Sequence, residues 1–322
     1  MKRIIGTVLG IFLFFGVIFY FGGMQVINIL LNSNLNYFFI ALLIQFFIIF
    51  LYVARLKTIL SAQKYDIKYK KLFKILISGM AVNQLTPIVK AGGEPVKLYY
   101  LTKTNIPVTK ATASVIIEIT SELISFYSLL LILVIFLSAT KLISIGFLYI
   151  GIVLFIICVG GFFFAFRILS DKNKIEKFIE KYLLRFFKPN AKISTKVFSS
   201  SFRYLCNKKL FLKIFSISFF CRFLEFLRIY FVFLAINFQV SFTIILAVWV
   251  LLILFSSIPW LPGGLGLVEG GTISSLLVLG IPSLISSSLI LLDRFISFWI
   301  VVIIGLIVLY FLNKEIRQHT VW

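Results

Sequence analysis

Acidic residues and histidine are scarce in this sequence. The 322 residues include 11 Asp and Glu beside 32 Lys and Arg, and the one histidine, His319, cannot build a site that needs several histidines. The three cysteines, Cys158, Cys206 and Cys221, lack the paired spacing of a metal site or a disulfide framework. The nucleotide-binding pattern GxxxxGK[ST] does not occur in the sequence. We therefore predict no cofactor and no metal, and nothing indicates ATP as a driving force.

Apolar residues dominate the composition. The chain is 61% hydrophobic and 13% charged, and runs of about 18 or more apolar residues are long enough to cross a bilayer as helices. Six such runs occur, at 4–24, 37–54, 111–139, 142–166, 210–238 and 287–312. The first run has no cleavage site and is interpreted as a span, not as a signal peptide. The sequence predicts an all-α polytopic membrane protein with six full spans.

Basic residues are concentrated in two segments. Eleven of the 32 Lys and Arg lie within 55–110 and 13 lie within 167–213. Because cytoplasmic loops collect Lys and Arg, we predict a multi-pass protein of the cell membrane with both termini in the cytoplasm. The charge favours contact with anionic lipids of the inner leaflet, not nucleic acid. Within the loop 167–213, basic residues recur at helical spacing from Lys174 to Lys188, which fits either an interfacial helix or a solvated loop.

Two polar stretches rich in proline and glycine interrupt the apolar pattern. NQLTPIVKAGGEPVK occupies 83–97, and PWLPGGLGLVEGG occupies 259–271. The arms beside the first stretch, 72–86 and 94–105, are too short to cross easily, so we predict a re-entrant hairpin that enters from the cytoplasm. The second stretch predicts either a hairpin from the opposite side or two short crossings.

The order of spans and hairpins predicts an internal repeat. Two spans, an interrupted pair and one further span occur twice, first from the inside and then from the outside, which is typical of inverted-topology repeats. The single transmembrane domain, 1–322, would then consist of halves 1–139 and 140–322. A common offset of 175 residues relates Pro87 to Pro262, Glu94 to Glu269, and Glu118 to Asp293.

The two breaks and the charges within spans are the candidate substrate-binding positions. Backbone that leaves a helix at membrane depth needs protein or water around it, and a helix start beside Lys90 would favour an anion such as phosphate. The alternative is that Pro and Gly merely turn the chain at the membrane surface. The candidate residues are Lys90, Gly92, Gly93, Glu94, Glu118, Glu122, Pro262, Gly263, Gly264, Gly266, Glu269, Asp293 and Arg294.

Charged residues within spans either line a polar pathway or pair between helices. We favour a pathway for Glu118, Asp293 and Arg294, because two of them correspond in the predicted repeat. The ladder of Arg222, Glu225 and Arg228 has a spacing of three. For this ladder we favour pairing that holds helices together.

Several motifs together resemble a known family. NQLTPIVKAGGEPVKLYYL, SVIIEITSELI, IPWLPGGLGLVEGG and LLDRFISF are similar to the transmembrane-region family of lysylphosphatidylglycerol synthase, with PGGLGxxE the most specific element. The resemblance covers nearly the whole chain and implies a domain that moves lipids with polar head groups across the bilayer. We expect no soluble aminoacyltransferase domain. Where the family commonly has Glu-Arg in the third span, this sequence has Glu118-Ile119, whereas Asp293-Arg294 keeps the arginine.

The preferred hypothesis is transbilayer movement of a phospholipid or a lipid-linked sugar by alternating access between the two hairpins, without enzymatic activity. Lys90, Arg294 and the hairpin amides would hold a phosphate, and the acids would contact an amine or hydroxyls, or carry coupling protons. The alternatives are an integral-membrane transferase, a subunit that presents a lipid carrier to an enzyme, and a structural factor. Enzymes that build lipid-linked glycans are candidate partners.

Overall fold

The computed structural model of the protein describes residues 2–86, 92–141, 144–169, 195–258 and 261–319. Across these ranges the regular structure is helical and contains no strand. The helices are α1 (Lys2–Gly22), α2 (Gln25–Leu31), α3 (Leu35–Ala62), α4 (Tyr69–Gln84), α5 (Gly93–Thr102), α6 (Val108–Ala139), α7 (Ile145–Leu169), α8 (Thr195–Leu205), α9 (Lys208–Ala235), α10 (Phe242–Ser257), a 3₁₀ turn (Pro262–Gly264), α11 (Leu267–Val278), α12 (Ser283–Arg294), a π-helical turn (Phe295–Trp299) and α13 (Ile300–His319).

Three helical runs among the described residues are long and apolar enough to cross a membrane: Leu35–Ala62, Val108–Ala139 and Ser283–Glu315. Only 28–39% of the residues in their most apolar windows are buried, so most of this apolar surface is available to lipid. The protein is an integral membrane protein, as predicted. The other predicted spans, 4–24, 142–166 and 210–238, coincide largely with α1, α7 and α9, and the count of six spans stays a prediction.

A sharp bend follows α1, the helix of the first predicted span. Phe12–Gly22 and Gln25–Leu31 meet at an angle of 92°. Gly23 lies between them with φ 60°, a conformation that glycine adopts without the steric penalty of other residues. The bend lies at the end of the predicted span 4–24, because the Gly22-Gly23 pair ends α1 and turns the chain.

The chain divides into two compact units. The first unit comprises Met1–Ile49, Lys74–Val96 and Leu224–Trp322, and the second comprises Phe50–Phe73 and Lys97–Phe223. Helices α3, α4, α5 and α9 contribute residues to both units. This division rests on packing, and the predicted repeat halves 1–139 and 140–322 stay a prediction.

In the second unit, α6 packs against α7 and α8. Phe198 and Phe202 of α8 are buried and belong to one apolar cluster with Ile59 and Ile117, while Tyr204 of the same helix is exposed. Helix α8 is therefore an amphipathic helix within the basic segment 167–213. The predicted amphipathic stretch between 174 and 188 lies outside the described residues.

In the first unit, α1 packs against α11 and α12, and α10 packs against α11. Phe14, Leu265, Phe298 and Val302 form a buried cluster, against which Leu85 packs. Leu85 follows the end of α4 and Leu265 follows the 3₁₀ turn. Residues beside both predicted breaks thus share one apolar core.

The replacement Gly93→Ala should destabilise the protein. A methyl group on Gly93 would collide with the carbonyl oxygen of Gly79 and come within 2.7 Å of Asn83 Cβ, and overpacking of this kind costs about 1–3 kcal/mol. Gly160→Ala in α7 is the matched control because its methyl group would meet no atom within 4 Å. The control should be neutral or gain about 0.5–1 kcal/mol from the better helix former. Thermal unfolding in detergent measures both effects, and equal midpoints for the two variants would contradict the close packing at Gly93.

Candidate functional site

The second break is a glycine-dependent turn. After α10, Pro262–Gly264 form a 3₁₀ turn, and α11 begins at Leu267. Gly263, Gly264 and Gly266 have φ of 63°, 68° and 84°, in the left-handed region where a Cβ is penalised. The three glycines of the PGGLG motif are therefore favoured by the backbone conformation itself.

A network that we call the Arg294 network closes this turn. Glu269 is fully buried, and its two carboxylate oxygens accept hydrogen bonds from the Gly266 amide at 2.6 Å and from Arg294 Nε at 2.5 Å. Arg294 Nη2 also donates to the Gly263 carbonyl at 2.8 Å, and the guanidinium lies 4.8 Å from the centre of the Phe298 ring. One of the amides at the start of α11 is thus bound by the protein's own carboxylate.

The first break separates α4 from α5 at the predicted place. Helix α5 begins at Gly93 with Glu94 in its first turn, and Gly92 lies against Thr86. The Gly93 amide donates to Asn83 Oδ1 over a long 3.5 Å, so α4 itself supplies an acceptor for the start of α5. Lys90 lies outside the described residues.

The described edges of the two breaks touch each other. A Cβ on Gly263 would lie 2.6 Å from the carbonyl oxygen of Gln84 and 2.7 Å from Phe298 Cζ. Only a residue without a side chain permits this approach. The end of α4 and the PGG turn are therefore in direct backbone contact, although Pro87 lies outside the described residues.

A second set of charges, which we call the Arg55 network, lies in the second unit. Arg55 Nη2 binds Glu118 Oε1 at 2.7 Å and Glu122 Oε1 at 2.5 Å. Lys97 Nζ binds the other oxygen of Glu118 at 2.7 Å, and Arg222 binds Glu122 at 3.3 Å. Arg55 and Glu118 are each 1% exposed. The network joins α3, α5, α6 and α9 through ion pairs.

Neutral side chains complete the Arg55 network. Arg55 Nη1 donates to Ser218 Oγ at 3.0 Å, and the hydroxyl groups of Ser218 and Ser121 are also 3.0 Å apart. The Arg55 guanidinium lies 4.9 Å from the centre of the Tyr52 ring. Such contacts are needed because a buried charge is tolerated only where it is paired and hydrogen-bonded.

Asp293 belongs to a separate group in the first unit, the Arg228 pair. Arg228 binds Asp293 Oδ1 at 3.1 Å and donates to Gln45 Oε1 at 3.0 Å, and Ser297 Oγ donates to Asp293 Oδ2 at 3.3 Å. The prediction that the charged ladder on α9 pairs between helices is confirmed for Arg228 and for Arg222. Asp293 and Arg294 are neighbours in sequence but have different partners.

Several important residues were not predicted from the sequence. The sequence indicates Arg55 and Lys97 only as parts of the basic segment 55–110, and it does not indicate Gln45. An arginine at the end of an apolar helix is a usable signal for Arg55, because such a charge needs a partner. Nothing in the local sequence identifies Gln45 as that kind of partner.

The described residues offer little for covalent or metal chemistry. No group of three or more His, Cys, Asp or Glu side chains that could hold a metal occurs among them. Burial raises the pKa of the Cys206 thiol to about 12. This thiol is therefore protonated at neutral pH and is a poor nucleophile.

The chain matches a known family over most of its length. Residues 4–305 match the family described as lysylphosphatidylglycerol synthase TM region. A UPF0104 membrane protein of Methanothermobacter thermautotrophicus is 28% identical, over 98% of this chain and 97% of its own. A UPF0104 membrane protein of Methanocaldococcus jannaschii is 25% identical, over 98% of this chain and 97% of its own. A UPF0104 membrane protein of Pyrococcus horikoshii is 24% identical, over 95% of this chain and 96% of its own. The chain therefore belongs to the family of the lysylphosphatidylglycerol synthase transmembrane region.

Proposed function

We propose that this protein moves a lipid with a polar head group, either a phospholipid or a lipid-linked glycan, across the cell membrane by alternating access between two opposed hairpins. The observation that carries the proposal is the backbone contact between the two helix breaks, where Gly263 meets the carbonyl of Gln84. Two interrupted helices that meet in this way form a junction whose backbone polar groups need protein or water around them. A head group passing through the junction would be in contact with those groups.

The buried charges support a polar pathway. The family is described as a transmembrane region, and ionisable residues within membranes are costly and mark pathways or helix contacts. The Arg294 network offers an exchange mechanism: a head-group phosphate would replace the Glu269 carboxylate at Arg294 and at the Gly266 amide. This proposal modifies the hypothesis of an open anion site, because Glu269 already occupies both donors.

A repeated arrangement of ion pairs supports the inverted repeat on which alternating access depends. In the second unit, Arg55 of α3 binds Glu118 of α6, which follows it by 63 residues. In the first unit, Arg228 of α9 binds Asp293 of α12, which follows it by 65 residues. Glu118 and Asp293, the two acids that the offset of 175 residues relates, are therefore each paired with an arginine.

The neutral partners repeat as well. Arg55 on α3 donates to Ser218 on α9, and Arg228 on α9 donates to Gln45 on α3. On both helices the neutral residue precedes the arginine by ten residues. A reciprocal pattern of this kind is what an internal two-fold relation between the halves 1–139 and 140–322 would produce.

The remaining features of the proposal follow from the sequence. Six spans, two re-entrant hairpins and cytoplasmic termini would place the first hairpin on the cytoplasmic side, where Lys90 and the start of α5 would receive a phosphate. Helix α8 and the basic segment around it would contact anionic inner-leaflet lipids. The protein would carry its substrate without modifying it, beside enzymes that make lipid-linked glycans.

The replacement Gly263→Ala should slow lipid movement. Its methyl group would separate the PGG turn from α4, and about 1.4 kcal/mol added to the transport barrier lowers the rate about tenfold. Gly280→Ala is the matched control: Gly280 also has positive φ, 82°, but a Cβ there would meet no atom within 4 Å. The measurement is the transbilayer movement of fluorescent phospholipids and lipid-linked sugars in liposomes that contain the purified protein. Equal rates for the two variants would contradict a role of the contact in transport.

The replacement Glu269→Gln should also reduce the transport rate, by at least about tenfold. The amide keeps the size of the side chain but removes the negative charge that Arg294 binds, and loss of one partner of a buried pair costs about 3–5 kcal/mol. Asp66→Asn is the control, because Asp66 is 93% exposed and pairs with Lys57 at the surface. Unfolding midpoints and elution profiles must show that both variants are folded. If the wild-type protein moves no lipid of any class tested, the proposed function is wrong.

A further inference from the structure

The end of α1 presents backbone carbonyls at the 92° bend. The last four carbonyls of a helix have no partner within the helix. At the end of α1, the Gly23 amide donates a hydrogen bond to the carbonyl of Phe19. The helix dipole adds a partial negative charge at this end. The carbonyls of Tyr20, Phe21 and Gly22 accept no hydrogen bond from the described amides that follow α1, so they can bind a cation or a hydrogen-bond donor.

A buried hydroxyl group faces this helix end. Ser287 of α12 packs directly on Gly22: a Cβ on Gly22 would lie 2.7 Å from Ser287 Cβ and 3.0 Å from Ser287 Oγ. Ser287 is fully buried, and its hydroxyl has no hydrogen-bond partner among the described residues. A hydroxyl group buried in this way is unfavourable unless it binds something.

Two more hydroxyl groups, in α11 and α12, are also buried without a hydrogen-bond partner among the described residues. Thr272 of α11 and Ser286 of α12 are fully buried, and within the described part of the chain neither hydroxyl has a hydrogen-bond partner. Helix α12 packs against both α1 and α11. The adjacent Ser288 differs, because its hydroxyl donates to the Leu284 carbonyl of its own helix. The three unpartnered hydroxyls thus belong to α11 and α12, which pack against each other and against α1.

We propose that sodium binds at the end of α1, with the carbonyls of the bend and Ser287 Oγ as ligands and with Ser286 and Thr272 completing the polar surroundings. Neutral oxygen atoms suit a hard monovalent cation, whereas divalent cations are usually bound with carboxylates. The ends of interrupted helices coordinate sodium in membrane transporters in this way. Asp293, two helical turns beyond Ser286, is bound by Arg228, so no carboxylate is assigned to the site.

This inference goes beyond the proposed function, since it concerns an ion that could drive or regulate the protein whatever its substrate. The test uses the purified full-length chain in detergent and sodium chloride alone as the probe. Thermal unfolding is followed as sodium replaces N-methylglucamine at constant ionic strength. A bound ion stabilises the folded state by mass action, so the midpoint should rise saturably, by about 2–4 °C for a tenfold excess over the dissociation constant. Potassium should give less than half of this shift.

The serine variants give the matched comparison. Ser287→Ala removes the proposed ligand and should abolish the sodium-dependent shift, while Ser288→Ala removes a hydroxyl that bonds within its own helix and should keep it. If Ser287→Ala does not fold, Ser286→Ala and Thr272→Val should each weaken the apparent affinity at least threefold. The absence of a sodium-specific shift in the wild type would overturn the proposal, as would an unchanged shift in Ser287→Ala. Neither result depends on lipid movement, so the sodium site and the proposed transport can fail independently.

Discussion

The structure around the second break depends on the fully buried carboxylate of Glu269. Three glycines with positive φ let the chain leave the helix, but they leave amide and carbonyl groups that an apolar environment cannot satisfy. Glu269 accepts a hydrogen bond from the Gly266 amide, and Arg294 donates hydrogen bonds to Glu269 and to the Gly263 carbonyl. One ion pair therefore neutralises two charges and binds two backbone groups of the turn. The contact of Gly263 with α4 depends on this ion pair, because Arg294 holds the Gly263 carbonyl.

The few buried carboxylates each connect two or more helices. Glu118, Glu122, Glu269 and Asp293 are all bound by at least one arginine or lysine from another helix. Hydrophobic association does not select partners among apolar helices in lipid, whereas paired charges do. The ion pairs thus help to determine which helices meet. Removing one partner of such a pair leaves a buried charge without compensation.

The sequence predicted the apolar helices and both breaks because these depend on local composition. Proline, glycine and short arms located the ends of α4 and α5 and the break between α10 and α11 within a few residues. The bend at Gly22 was not predicted, because an apolar run with two glycines also fits a straight span. The partners of Arg55 and Arg228 could not be predicted from local spacing. Glu118 lies 63 residues from Arg55, and Gln45 lies 183 residues from Arg228. Local spacing indicated that such charges need partners but could not identify them.

The end of α12 joins the two charge groups of the first unit. Asp293 forms an ion pair with Arg228 on α9, and the next residue, Arg294, donates a hydrogen bond to Glu269 on α11. The π-helical turn Phe295–Trp299 follows immediately, and such turns are irregularities that often accompany functional sites. A rotation of α12 that released Glu269 from Arg294 would also pull Asp293 away from Arg228. If the proposed exchange of the Glu269 carboxylate for a head-group phosphate rotates α12, the contact with α9 changes with it, because consecutive residues of a rigid helix move together.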